Sequence, residues 1–182
     1  MALPQLVREE KIIERYGKVI LNRYFLDPDG ETRDFLLWGG KTDPVIIFAT
    51  THDKKVIAMR QFRRAANEEL LEIAGGSMNK EEGARVAAQR ELLQESGYAA
   101  KRVVVLPKVW IDPASCFTGM IPVIALGCTK VAGQELDETE KMEMSEPVLT
   151  DLEEWIKMIH SGYIHDSKTI ALTFLALPYI NE

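Results

Sequence analysis

An α+β fold is what the sequence predicts, on three observations. Short β-type runs rich in Val, Ile, Phe and Tyr fill the N-terminal part. Two helical segments close the chain, with one acidic helix in the middle. Strands and helices do not alternate strictly, as a parallel βαβ architecture would require.

In chain order, residues 10–38 read as β structure, KIIERYGKVILNRYFL and ETRDFLLW around a DPDG turn at 27–30. Pro44 closes this section, and residues 45–49 (VIIFA) form a short apolar run of buried-strand type. After a polar turn at 52–55, residues 56–62 (VIAMRQF) return as a strand, and 69–74 (ELLEIA) lead into a glycine turn at Gly75-Gly76. A helix is expected from about Lys80 to Ser96, with Ala84, Val86, Ala87, Ala88, Leu92 and Leu93 packing on a sheet. Residues 103–106 and 121–126 are further strands, with a loop over 112–118 between them. Residues 134–146 form a strongly acidic loop. Helices follow over 152–160 and 166–177, the second capped by Asp166 or Ser167.

A chain of 182 residues suffices for one domain with a sizeable core, or a domain and a small appendage. The net charge of −6 argues against a nucleic-acid or membrane-surface binder. It also opposes a polyanionic substrate, a conflict that bound divalent cations resolve. Cys116 and Cys128 are too few for a disulfide scaffold, no Cys/His cluster suggests zinc, and both are expected as reduced thiols in the core. The N-terminal MALPQLVREEKII lacks an apolar signal core and no run reaches transmembrane length, so a cytoplasmic location is expected.

The most informative stretch is residues 76–98, GSMNKEEGARVAAQRELLQESGY. Glu91, Gln94 and Glu95 are offset by three and four residues and share one helical face. Two carboxylates and an amide oxygen beside glycines make a hard-cation site, and magnesium takes one or two carboxylates plus water and phosphate oxygens. A merely solvated acidic helix would explain the charge, but not the glycines, the Arg90-Glu91 step and the terminal Gly97 together.

The stretch resembles the Nudix box, G-x5-E-x7-R-E-U-x-E-E-x-G-U with U apolar: Gly76, Glu82, Arg90, Glu91, Leu92, Glu95 and Gly97 fall in register. Gln94 departs, standing where the family has the first glutamate of its pair. Around the box, R-Q-F-R at 60–63, E-L-L-E-I-A-G-G at 69–76, the acidic loop and S-K-T-x-A-L at 167–172 resemble the ADP-ribose pyrophosphatase branch. This likeness implies an α/β/α Nudix sandwich around a mixed sheet over 43–182. It also implies an N-terminal β subdomain, residues 1–42, exchanged in a homodimer.

The resemblance further implies metal ligation by the Gly75 carbonyl, Glu91, Gln94 and Glu95, with magnesium as the cofactor and manganese as the alternative ion. Arg90 would orient the glutamates through a bidentate contact, and Glu82 would be a supporting residue favoured by the helix dipole. The branch takes its base from a loop after the box. Asp137, Glu138, Glu140 and Glu143 are the candidates here, with Glu138 preferred as base and Glu140 as a further metal contact.

On a strand, Arg60 and Phe62 share a face and Arg63 takes the other. An arginine could bind pyrophosphate and Phe62 could stack on a base, or these could be a strand-edge charge and a core aromatic. Glu72 is a further substrate candidate. Residues 112–119 read D-P-A-S-C-F-T-G where many relatives carry S-P-G and an acid, a departure in a loop that shapes the family's substrate pocket. Cys116 has no His placed to activate it, and His52, His160 and His165 fall in turns or helix ends.

The expected reaction is magnesium-dependent hydrolysis of the pyrophosphate of ADP-ribose or a nucleotide sugar, giving a nucleoside monophosphate and a sugar phosphate. The substrate is thus a small molecule, with no nucleic acid or membrane partner. The alternatives are another Nudix substrate, a dinucleotide or a GDP-sugar, and a catalytically weak nucleotide-binding module.

Overall fold

A computed structural model describes residues 1–180. The strands and helices are, in order, β1 (Gln5–Arg15), β2 (Lys18–Leu26), β3 (Thr32–Gly40), β4 (Pro44–Thr51), β5 (Lys55–Arg63), β6 (Glu68–Glu72), β7 (Ala74–Ser77), α1 (Ala84–Ser96), β8 (Tyr98–Ala99), β9 (Arg102–Val105), β10 (Val109–Trp110), β11 (Gly119–Lys130), α2 (Glu140–Glu143), β12 (Val148–Asp151), α3 (Leu152–His160) and α4 (Ser167–Ile180). They divide into two compact units, Met1–Asp43 with Val109–Met120, and Pro44–Lys108 with the chain from Ile121 on.

In the first unit, β1, β2 and β3 form an antiparallel meander. The DPDG turn lies where expected: Gly30 has φ 86° and donates to the Asp27 carbonyl at 2.9 Å. A second turn was not anticipated. Tyr16 and Gly17 have φ 52° and 72°, and join β1 to β2 as a two-residue hairpin whose central positions both need positive φ. Residues 109–120 belong to this unit. Phe117 donates its N–H to the Trp38 carbonyl at 3.0 Å, and the Ser115 carbonyl accepts from Trp38 N–H at the same distance.

The second unit is a mixed sheet with helices on both faces. β11 and β4 are parallel, β5 and β12 continue antiparallel, and β7 pairs with β4 and β6 with β5. Strand alternation divides the core. Val45, Ile47 and Ala49 of β4 join Ile57, Met59, Val123 and Ala125 against Ala87, Ala88 and Leu92 of α1. Ile46 and Phe48 point to the opposite face, where α4 packs on β4 and α3 on β5. There Trp155 is fully buried and its indole N–H donates to Thr173 Oγ1 at 2.9 Å.

Two local expectations are corrected. Gly75-Gly76 is not a turn but part of β7, pairing with Ile46 and Val45. The helix starts at Ala84, not near Lys80, with Gly83 at its N-cap. Residues 79–82 form a loop instead, closed by the Glu82 N–H on the Asn79 carbonyl at 3.1 Å. Val86 and Leu93 of α1 are exposed rather than packed.

Candidate metal and pyrophosphate site

The two glycines of β7 bring the sheet against α1. A Cβ on Gly76 would come within 2.3 Å of the Glu91 carboxyl carbon, and one on Gly75 within 2.7 Å of the Val45 carbonyl oxygen. Only glycine lets Glu91 lie over this strand. Gly75 donates its N–H to Glu95 Oε2 at 3.0 Å. In an antiparallel ladder a residue's N–H and C=O point the same way, so the Gly75 carbonyl lies on the strand edge turned to Glu95.

Arg90 organises the opposite end. Its bidentate contact is with Glu82, not with the α1 glutamates: Nε to Oε1 is 2.9 Å and Nη2 to Oε2 is 2.8 Å. It makes single bonds to Glu91 Oε1 at 2.8 Å, to Gln94 Oε1 at 3.1 Å and to the Ser77 carbonyl at 3.0 Å. Glu82 precedes the helix, so Arg90 and the Asn79 N–H rather than the helix dipole stabilise its charge. The Arg90 hydrogen bonds hold its carboxyl at about 2.

Glu95 has the reverse environment. Burial pushes its carboxyl up to about 8; the Gly75 N–H and Arg63 oppose this, and Glu91 and Glu140 reinforce it. Burial likewise raises Glu91, against the Arg90 hydrogen bond. Among the described residues Glu95 makes no ion pair. No three His, Cys, Asp or Glu side chains among the described residues close into a ready-made metal cluster. Two carboxylates, the Gln94 amide oxygen and a carbonyl nevertheless fit an ion that takes few protein oxygens and completes its shell with water and phosphate.

The acidic loop separates its four candidates. Asp137 and Glu140 form a capping box. Asp137 Oδ1 accepts the Glu140 N–H and Glu140 Oε2 accepts the Asp137 N–H, both at 2.8 Å. Glu143 is paired to Arg64 Nε at 2.7 Å. Glu140 acts electrostatically on Glu91 and Glu95. Glu138 is exposed and has no hydrogen bond or ion pair among the described residues. Gln134, which sequence reasoning missed, closes the loop's neck, its amide donating to the Glu95 carbonyl at 2.6 Å and the Ser145 carbonyl at 2.9 Å.

The four substrate candidates part into two pairs. Arg63 grips buried Glu72 in a bidentate pair, at 2.7 and 2.8 Å, on the side of the β5–β6 hairpin that carries Met59. Its charge acts on Glu95. Arg60 and Phe62 project from the other side. Arg60 donates to the Tyr163 hydroxyl at 2.5 Å, and Phe62 is exposed.

The arrangement defines a class: a glycine-lined strand and a helix that together hold under-neutralised carboxylates, with an arginine close by. The fold matches a crystal structure of an ADP compounds hydrolase, with a TM-score of 0.83 at 18% identity over 98% of this chain and 95% of that one. The NUDIX domain family model matches residues 40–168, and the chain belongs to the Nudix family. It is 31% identical over 137 residues to an ADP-ribose pyrophosphatase of Bacillus subtilis (strain 168), covering 73% of this chain and 71% of that protein. To a methanol dehydrogenase activator of Bacillus methanolicus it is 31% identical over 156 residues, 82% and 80% of the two chains. To an ADP-sugar pyrophosphatase of Mus musculus it is 30% identical over 135 residues, 67% and 62%.

Proposed function

We propose that this chain, a Nudix pyrophosphohydrolase, hydrolyses ADP-ribose or a related nucleotide sugar to a nucleoside monophosphate and a sugar phosphate. The observation that carries this is Glu95, a buried carboxylate raised by burial and by its acidic neighbours, with no ion pair among the described residues. Glu91, Glu95, Gln94 and the Gly75 carbonyl would hold magnesium, or manganese in its place. When bound, the ion supplies charge neutralisation to the pyrophosphate and acidity to a water.

The rest is work for the chain's own side chains. Arg90 keeps Glu91 and Gln94 in place while its bidentate pairing is spent on Glu82. Glu140, anchored by its capping box, suits a fixed oxygen contact. Glu138, unanchored on the same turn, takes the proton from the attacking water and passes it to solvent. Arg63 offers a guanidinium to the pyrophosphate, with Glu72 setting its orientation. Arg60 and Phe62 would serve the remainder of the substrate.

The first unit supports a homodimer with a second copy of this chain, formed through the N-terminal strands. All of β1 is exposed, and Phe35, Leu36 and Trp38 of β3 are exposed too, an apolar surface that a second copy could cover. Cys116 and Cys128 are free and buried, which suits the reducing cytoplasm, and no helix among the described residues is long and apolar enough to cross a membrane.

The likeness to the dehydrogenase activator favours a second reading, action on a partner enzyme with nucleotide binding but little turnover. A screen of ADP-ribose, ADP- and GDP-sugars and dinucleotides with magnesium or manganese, scored for released phosphomonoester, tests the first. ADP-ribose or an ADP-sugar should be turned over fastest. Binding without turnover of any compound would favour the second.

A further inference from the structure

The Ser167-Lys168-Thr169 start of α4 has no part in the assignments above, yet it abuts the Arg63–Glu72 pair. Lys168 Nζ lies 3.8 Å from Glu72 Oε2 and 2.6 Å from Asp166 Oδ1. Asp166 is buried, and its second oxygen accepts the Thr169 N–H at 2.8 Å, which fixes the start of the helix. Thr169 Oγ1 accepts from the N–H of Ile73, next to Glu72, at 3.4 Å. Two buried acids, Glu72 and Asp166, are thus matched by two cations, Arg63 and Lys168, on a rigid frame.

This balance bears on phosphate binding. Two of Arg63's five donors are filled by Glu72, so a substrate phosphate bound to the others draws on the same guanidinium charge that neutralises that carboxylate. Glu72 is 3% exposed and cannot turn to water. A buried carboxylate stripped of its partner is strongly unfavourable. Among the described residues the one other cation paired with Glu72 is Lys168. An ammonium has three donors and little directional demand, so it can serve Asp166 and Glu72 together.

We propose that Lys168 is a positioning residue for pyrophosphate binding: as the second counter-ion of Glu72, it lets Arg63 be shared with a substrate phosphate without stranding a buried charge. The inference rests on the nucleoside diphosphate function proposed above. Losing this counter-ion tightens Glu72's hold on Arg63 in ground and transition states alike. It therefore acts on KM rather than on kcat.

The test is steady-state kinetics of the full chain with ADP-ribose, or whichever nucleoside diphosphate derivative the wild type turns over best, at saturating magnesium. K168M should raise KM about tenfold and leave kcat within about twofold, while K168R stays within about threefold of wild type in both. In an E72Q background, K168M should shift KM by less than about twofold, because the charge through which Lys168 acts is gone. Should K168M melt below the assay temperature, K168Q enters the same cycle, its amide keeping a hydrogen bond to Asp166. An unchanged KM in K168M, a fall in kcat alone, or an equal KM rise in the E72Q background each overturns the proposal. A wild type that hydrolyses no diphosphate compound defeats the proposed function and this inference with it. An active wild type with an indifferent K168M defeats this inference alone.

Discussion

Glu82 and Glu95 are carboxylates of one sequence box, held in opposite states. Glu82 has two hydrogen bonds from Arg90 and one from the Asn79 N–H, and sits at about 2. Glu95 is buried, has one backbone N–H, faces Glu91 and Glu140, and sits at about 8. Arg90, the arginine of the R-E step, is thus engaged mainly with the acid outside the helix. What remains on α1 is a buried acid without a cationic partner, which gains one when a cation binds. Satisfied acids hold the scaffold; unsatisfied ones mark where a ligand completes the electrostatics.

The largest expected effect breaks the unsatisfied side. E95Q removes the charge but keeps the acceptor for the Gly75 N–H, so the fold should survive. Magnesium-dependent turnover should fall about 10²–10³-fold, as for other single groups that stabilise transition-state charge. Turnover within a few-fold of wild type would overturn the ligand assignment. Next come the glycines. G76A drives a methyl into the Glu91 carboxylate, the movable end of a side chain. It should cost about 10²-fold in kcat/KM, through ligand displacement, with little change in Tm. G75A instead meets the Val45 backbone oxygen, which cannot swing aside, and should lose about 1–3 kcal/mol of stability. Thermal melts beside kinetics separate the two.

The contrast also predicts a pH dependence. In the unfolded chain Glu95 titrates near 4.5, and in the folded chain near 8. Between these values the folded state binds more protons than the unfolded state, so stability falls as pH rises. The metal-free protein should lose roughly 5 °C or more of Tm between pH 5 and 8. Magnesium should restore more of it at pH 8 than at pH 5, and in metal-free E95Q the slope should flatten. A metal-free Tm that rises over this window would remove Glu95 as the dominant buried acid.

How much of this was legible depended on how local the cause is. The shared face of Glu91, Gln94 and Glu95 follows from helix periodicity alone, and the sheet-facing Ala87, Ala88 and Leu92 likewise. A Gly-Gly pair is a turn signal, whereas the real constraints on Gly75 and Gly76 are the Val45 carbonyl and the Glu91 carboxylate, both distant in sequence. The Tyr16–Gly17 hairpin lacks the Asn-Gly or Asp-Gly signal that marks such turns. Asp137-x-x-Glu140 did carry a legible signal, a capping box, hidden inside a run of acids. Alternation put Arg60 and Arg63 on different sides of β5, but only the packed sheet shows that Arg63 is the one whose charge reaches Glu95.

The smallest expected effect sharpens the comparison at Gln94, the position where the chain departs from the box. Its amide oxygen accepts from Arg90 Nη1 at 3.1 Å, and Glu91 Oε1 accepts from the same nitrogen at 2.8 Å. Q94E would keep that acceptor and add a charge beside Arg90, Glu91 and Glu95. Attraction to Arg90 and repulsion from Glu91 largely cancel in the metal-free protein, so its Tm should move by no more than about 2 °C. With the cation bound the repulsion is relieved, and magnesium affinity should rise by about 1 kcal/mol, roughly fivefold, with turnover kept or raised. Titration calorimetry with magnesium reads the first and initial rates the second. If affinity does not change and turnover falls, the neutral amide has a role of its own at this site, and Gln94 belongs with the satisfied side of the box beside Glu82.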